Sequence, residues 1–432
     1  MAGPLRIGVA GLGTVGGGVV KLLREHRDLL ERRCGRELRV VAASARNTRK
    51  KRDFPLGRIR LEKDALKLAA AKDVDVVVEA IGGSDGVARA LVEAAIANGK
   101  HVVTANKALL ALHGAGIARA AEAAGVILAY EAAVAGGIPI IKAVREGLVG
   151  NRVTRLYGIL NGTCNYILTT MRETGRDFAD VLAEAQKLGY AEADPSFDVD
   201  GIDAAHKLAL LAAAAFGCPP NFKGVHVEGI RRVGALDIRF AEELDCRIKL
   251  LGVARETTLG IEQRVHPCLV PRSAPIASVD GVFNAVVVEG DFVGSTMFQG
   301  RGAGAGPTAS AVVADLVDVA RGHGLPPFVV PAASLVARRA SPMRAHRGAY
   351  YVRLMVRDRP GVIADVSAAL RDEDVSMQSM LQHGRAGGAD ESVAVVLTTH
   401  VTEEAAMTRA IRRIKALRTV IEAPNVIRIE SP

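Results

Sequence analysis

Apolar and polar positions alternate along the chain in blocks whose period changes three times. Residues 5–10, Leu-Arg-Ile-Gly-Val-Ala, predict a buried strand that runs into a glycine-rich turn at 11–16 and a helical stretch to about Arg33. A second strand is predicted at 38–45, and further apolar runs follow at 74–78, 101–104 and 126–130 with Ala-rich helical patterns between them. Strand and helix alternating over some 130 residues predict an α/β fold with a doubly wound, Rossmann-type sheet. Between 151 and 300 the rhythm breaks into strand-like runs at 154–160, 251–253, 262–267 and 285–289 with longer helices, which predicts a separate α+β domain. Residues 340–349 read as a linker. Beyond it the pattern restarts as strand 350–356, turn 357–361, helix 362–371, strands 375–381 and 392–399, helix 403–417 and strand 420–429. That order, βαββαβ, predicts a ferredoxin-like module, separable enough that a chain ending at Gly348 should still fold.

Composition narrows the class. The 432 residues are 49% hydrophobic and 24% charged, which is globular. The longest apolar run, near 208–218, is too short for a bilayer, which takes roughly 20 residues. The N-terminus lacks a signal-peptide layout, and the five cysteines lie far apart with no CxxC pair, so a reduced, soluble, cytoplasmic protein is expected. The net charge of +9 is concentrated: residues 1–60 hold 15 Lys/Arg against 5 Asp/Glu. With no tryptophan and 4% aromatics, no nucleic-acid face is expected.

The candidate chemistry sits at strand ends. Gly11-Leu-Gly13-Thr14-Val15-Gly16, between a strand and a helix, fits a dinucleotide turn: the first glycine for the turn, the second for approach to a pyrophosphate, the third for helix–strand packing. After the second strand, where an NAD site places an acid, stands Arg46 followed by more cations, which favours NADP while leaving NAD open. Lys107 and Glu131 follow later strands and point at the same ligand edge. The segment 187–207 packs four aspartates and a glutamate between Glu192 and Asp203, ahead of an Ala/Leu helix on which Asp203 and Lys207 share a face. Its spacing does not match a calcium-binding EF-hand loop. A second glycine-rich turn, 300–306, leads into a helix at 309–320 and suits closure over the nicotinamide side.

These segments together resemble homoserine dehydrogenase, in its single-function bacterial form with a C-terminal ACT domain, over nearly the whole chain. The resemblance is carried by Gly11–Gly16, Thr104-Ala-Asn106-Lys107, 130–139, Asn161-Gly162-Thr163-Cys-Asn165, Glu192 with Asp203 and Lys207, Gly302-Ala-Gly304, and Asp358-Arg-Pro-Gly-Val362. It implies reversible, NAD(P)-dependent reduction of L-aspartate 4-semialdehyde to L-homoserine, on the route to threonine, methionine and isoleucine. It implies Lys207 as proton donor, with Lys107 between nicotinamide and substrate. Glu192, Asp203, Asp198, Tyr190, Thr163 and Gly162 would meet the substrate. Gly11, Gly13, Thr14, Val15, Gly16, Arg46, Gly83, Lys107, Gly189 and Gly304 would meet the cofactor. A structural sodium site would use the Glu131 side chain and the carbonyls of Val134, Gly136 and Ile138. The expected domains are 1–140 for the dinucleotide, completed by 305–340; 141–304 for catalysis; a linker at 341–349; and an ACT domain at 350–432. An amino-acid effector, threonine above all, would bind the last, in a homodimer or homotetramer. The alternatives are another ACT-regulated amino-acid dehydrogenase, which would lack the Glu192–Lys207 spacing, and a ligand-sensing regulator, which would leave the acidic loop idle.

Overall fold

The computed structural model describes residues 3–52, 54–383 and 392–431. Six strands, β1 (Leu5–Ala10), β2 (Leu38–Ser44), β3 (Arg60–Glu62), β4 (Val76–Glu79), β5 (His101–Thr104) and β6 (Leu128–Ala129), form a parallel sheet in the order β3-β2-β1-β4-β5-β6. Side chains alternate between two covered faces, as a doubly wound sheet requires. Val77 and Val102 face the helices Val87–Ala97 and Lys107–Ala123, whereas Val76, Val78 and Val103 face Thr14–Glu25 and Ala305–Arg321. The last helix comes from 280 residues down the chain and lies so close that a Cβ on Gly18 would stand 2.7 Å from the Ala305 carbonyl oxygen. Strand order reverses between β1 and β4, so the turns after them open one crevice at the carboxyl edge of the sheet.

The first helical stretch is broken: His26, at φ −106° and ψ 20°, separates Thr14–Glu25 from Arg27–Cys34 without a glycine or proline to mark it. The strand expected at 126–130 pairs only over Leu128–Ala129.

The rest of the chain builds a second sheet from β7 (Val153–Ile159), β8 (His226–Val227), β9 (Cys246–Thr257), β10 (Gly260–Pro271), β11 (Phe283–Gly290), β12 (Gly294–Arg301), β13 (Arg347–Arg357), β14 (Met377–Gln382), β15 (Ser392–Thr399), β16 (Thr402–Glu403) and β17 (Asn425–Ile429). Its path is β12-β11-β7-β9-β10-β17-β13-β15-β14, with β8 on β10 and β16 on β13. β9 and β10, twelve residues each, form one continuous hairpin, where the sequence predicted two fragments. Lys249 hid part of β9: it sits inside that strand and is nonetheless buried, as Glu262 and Arg264 are in β10.

Three expectations for the C-terminal module need correction. The linker at 341–349 is no free tether, because Met343–Ala345 is a 3-10 turn, His346 is buried, and Arg347 and Gly348 already pair with β16. The final strand is Asn425–Ile429 rather than 420–429, since Pro424 cannot donate to a ladder and Val420 makes only one bridge, to Val356. Nor is the module separate. β17 pairs with β13 on one side and, in parallel, with β10 on the other, joining the two halves into one sheet.

Buried charge seals that seam. Arg264, 1% exposed, holds Glu262 at 2.7 Å and Glu430 at 2.6 Å, and Glu430 also reaches Arg155 at 3.0 Å. Beside them Arg428 spans Glu404 at 2.6 Å and Glu228 at 3.0 Å. A chain cut at Gly348 would strip Glu430 from Arg264 and uncover part of β10. The seam gives a direct test. Removing one partner of a buried ion pair costs about 3–5 kcal/mol, so Glu430→Gln should lower the unfolding free energy in urea by about 3 kcal/mol. Asp73→Asn, at the exposed Arg60–Asp73 pair, should cost less than about 1 kcal/mol. Equal, small losses would show that the seam does not hold the molecule together.

Candidate active site

The glycine turn after β1 has the geometry its sequence predicts. Gly11 adopts φ +94°, and a Cβ there would lie 2.6 Å from the Ala80 carbonyl oxygen. A Cβ on Gly16 would fall 1.9 Å from the Gly11 carbonyl oxygen, so helix and strand meet only through glycine. Gly13 has open space in front of it. The following helix has no side-chain cap and no acid in its first turn, which leaves the N–H groups near Thr14 and Val15 for an anion. Lys50, Lys51 and Arg52 line an adjoining cleft over Gly13 and Lys21, whereas Arg46 is exposed just past β2 and is not among the residues lining that cleft.

A relay of polar groups then places Lys107. The buried Glu79 carboxylate accepts from the Ile81 and Gly82 amides and from Thr104 Oγ1 at 2.6 Å. Thr104 Oγ1 accepts from the Asn106 amide, and Asn106 donates its Nδ2 to the Gly83 carbonyl while its Oδ1 caps the helix at Leu109. Lys107 is the first residue of that helix.

Opposite stands the second domain's contribution. Gly201, at φ +85°, opens the helix Ile202–Phe216, which is buried on every side from Asp203 to Ala214. Asp203 accepts from Lys107 Nζ at 2.8 Å on one oxygen and from Lys207 Nζ at 2.7 Å on the other. Lys207 also donates to the Leu160 carbonyl at 2.8 Å, at the end of β7. An ammonium has three N–H donors, so one remains, and Lys207 lines a cleft of about 410 Å³. Burial lowers the Lys207 pKa, Asp203 opposes this and Lys107 adds to it, and the net direction is down. For Lys107 burial also pulls downward, but Asp203 outweighs it and the net is up. Burial pushes Asp203 up, and the two lysines more than offset that, so it stays ionised. Burial, then Asp203, raises Asp198.

The same cleft gathers Gly162, Thr163, Gly189, Tyr190 and Gly304. Thr163 Oγ1 donates to the Tyr190 carbonyl at 2.7 Å, and Gln186 Nε2 donates to the carbonyls of Glu192 and Ala193, which braces the acidic loop. Glu192 itself is exposed and does not line the cleft. Two groups were assigned no contact with substrate or cofactor from the sequence. Asn161 donates to Asp198 at 2.7 Å and Asp203 at 2.9 Å and caps the helix Gly162–Thr174 through Cys164; an Asn directly before a helix was the available signal. Asn284 on β11 lines the cleft with neither amide atom bonded. Leaving a buried polar group unsatisfied costs about 1–3 kcal/mol, and nothing in the sequence marked it.

Glu131 lies on a buried turn with Val134, Gly136 and Ile138, its two carboxylate oxygens accepting the Ile141 and Lys142 amides. That turn touches the cleft: a Cβ on Gly136 would fall 2.3 Å from the Gly302 carbonyl oxygen. A metal-like trio, His266, Cys268 and Glu430, lies at the seam instead. Arg264 donates to His266 Nε2 at 2.8 Å and His266 Nδ1 faces the Pro267 carbonyl at 2.9 Å, so both ring nitrogens are already engaged.

Comparison with known proteins places this geometry. The homoserine dehydrogenase family profile matches residues 139–317, its NAD-binding domain matches 11–131, and an ACT domain profile matches 350–419. A homoserine dehydrogenase of Neisseria gonorrhoeae is 49% identical over 99% of both chains. The crystal structure of one from Thiobacillus denitrificans superposes with a TM-score of 0.94 at 50% identity, over the full length of each. A hyperthermophilic archaeal homoserine dehydrogenase solved in complex with NADPH covers 73% of this chain and 97% of its own, with a TM-score of 0.61 and 25% identity. By fold, site and similarity over its whole length, the chain belongs to the homoserine dehydrogenase family of oxidoreductases.

Proposed function

We propose that this enzyme interconverts L-aspartate 4-semialdehyde and L-homoserine with NADP(H) as the preferred cofactor, in the synthesis of threonine, methionine and isoleucine. The observation that carries the reading is the Lys207 ammonium, held by Asp203 and Leu160 with one N–H left toward the cleft. The cofactor, when bound, supplies or removes the hydride at the carbonyl carbon. Gly11, Gly13, Thr14, Val15, Gly16 and Gly83 would hold its phosphates and ribose side, and Gly189 and Gly304 the nicotinamide side. A Cβ-free cradle and uncapped amides fit that group.

As the carbonyl becomes an alkoxide, negative charge grows on its oxygen, where Lys207 and Lys107 stabilise it. Lys207 then gives its proton to that oxygen and becomes a neutral amine, which its buried position favours. Asp198 and Asp203 would receive the substrate ammonium within the cleft and Glu192 from the exposed acidic loop beside it, with Gly162, Thr163 and Tyr190 alongside. For the sodium ion, the Glu131 carboxylate and the Val134, Gly136 and Ile138 carbonyls are hard oxygen donors, and each carboxylate oxygen keeps a lone pair beyond its amide bond. A structural role would brace the turn against Gly302. A homodimer or homotetramer in a reducing cytoplasm completes the reading, in keeping with five free cysteines. Purified protein should raise absorbance at 340 nm with NADP and homoserine; none at saturating substrate would defeat the proposal.

Three expectations follow from the assignments. Lys207→Ala should lower kcat by roughly 10²–10⁴ with NADPH affinity unchanged; a fall under tenfold in folded protein would move the acid role to Lys107. Arg46→Ala should weaken NADPH roughly 10–150-fold through loss of a charge-assisted bond and leave NADH alone. Should Arg52→Ala do this instead, the 2′-phosphate rests against the 50–52 loop. Millimolar threonine should inhibit the full chain, needing only about 1–3 kcal/mol of coupling; indifference at saturation would leave the ACT domain a purely structural part.

A further inference from the structure

Asn284 reaches the cleft from the wall formed by β11, with its side chain 1% exposed and both amide atoms without a partner among the described residues. Glycines clamp it on two sides. A Cβ on Gly302 would stand 2.2 Å from its Cγ and Nδ2, and one on Gly162 would stand 3.3 Å from its Oδ1. The amide is therefore wedged in place, and buried polar groups left unpaired in a native structure call for an explanation.

A second, independent feature lies beside it. Gly162 is the first residue of the helix Gly162–Thr174, in which Asn161 caps the Cys164 amide through its side chain and the Asn165 amide through its carbonyl. The amides of Gly162 and Thr163 precede the first intrahelical donor and form the positive end of the helix, at the cleft wall. Bare amides and the Asn284 Nδ2 together suit an anion; the Asn284 Oδ1 suits a cation next to it, in a cleft that Asp198 and Asp203 also line. One small group presents both charges on a single carbon, the headgroup of an α-amino acid.

We propose that Asn284 is a specificity-determining residue that reads this headgroup, its Nδ2 donating to the substrate α-carboxylate seated on Gly162 and Thr163, its Oδ1 accepting from the α-ammonium. This rests on the reaction given above. The competing occupant is the carboxamide of the nicotinamide, which would also match one donor and one acceptor.

The test uses the full chain carrying Asn284→Asp, which keeps the side-chain volume but cannot donate, and Asn284→Ser in case a buried charge unfolds the first. The KM for homoserine should rise roughly 10–100-fold with kcat within about threefold. Competitive inhibition by L-2-aminobutyrate, which has the headgroup but no reacting oxygen, should weaken in parallel. NADPH affinity by fluorescence titration should stay within about twofold, which also reports a folded variant. A loss confined to NADPH would hand Asn284 to the nicotinamide and overturn the proposal, as would an unchanged inhibition constant for aminobutyrate. A wild-type protein inert toward homoserine would sink the reaction itself; an active wild type with indifferent variants would sink only Asn284.

Discussion

A single buried carboxylate shared by two ammonium groups is the constraint on which the site depends. Asp203 takes Lys107 on one oxygen and Lys207 on the other, and the two lysines arrive from different domains. At 2.7 Å and an effective dielectric near 20, the Asp203–Lys207 attraction is on the order of 6 kcal/mol. That is set against several kcal/mol of desolvation for each ion. The balance holds only because the Leu160 carbonyl and the Asn161 amide satisfy what remains. One negative charge between two positive ones leaves a surplus cation facing the cleft, and an oxygen gaining electrons is what such a surplus stabilises.

The glycines are the second constraint. Gly11 and Gly16 bring the first strand and helix together, Gly18 admits the helix Ala305–Arg321, and Gly136 meets Gly302. In each case backbone approaches backbone more closely than a methyl group would allow. The cleft is thus walled by main chain at several points, so its shape is set by rigid elements rather than by long side chains.

Much of this was readable in the sequence, and the reasons differ by region. The first sheet was legible because its strands are covered on both faces and read as apolar runs such as 76–78. The Asp203–Lys207 pair was legible because a helix fixes spacing into geometry. The full length of the β9–β10 hairpin was not, since the buried Lys249 breaks the apolar pattern of β9 while its partner Asp280 lies 31 residues away. β12 escaped because its half-exposed Gly-Ser-Thr-Met-Phe-Gln-Gly-Arg run has no apolar face to announce it. Asn284 could not be seen at all, since an orphaned amide is defined by what surrounds it in space. Glu192 stood out through its acidic neighbours, yet it is held at the surface by the loop that Gln186 braces.

The seam between β10 and β17 bears on how the molecule is made. β10 ends at Pro271 and its partner begins at Asn425. A ribosome adding about 5–20 residues per second needs roughly 8–30 s to cross that interval. Throughout it, part of an inner strand's edge waits without β17 and the Arg264 guanidinium without Glu430, in a chain whose first sheet is already complete apart from the helix Ala305–Arg321. Unpaired strand edges are where nascent chains associate wrongly. The interval between residues 271 and 425 is therefore the window in which a chaperone holding that edge would matter most, and slow codons within it would lengthen the exposure.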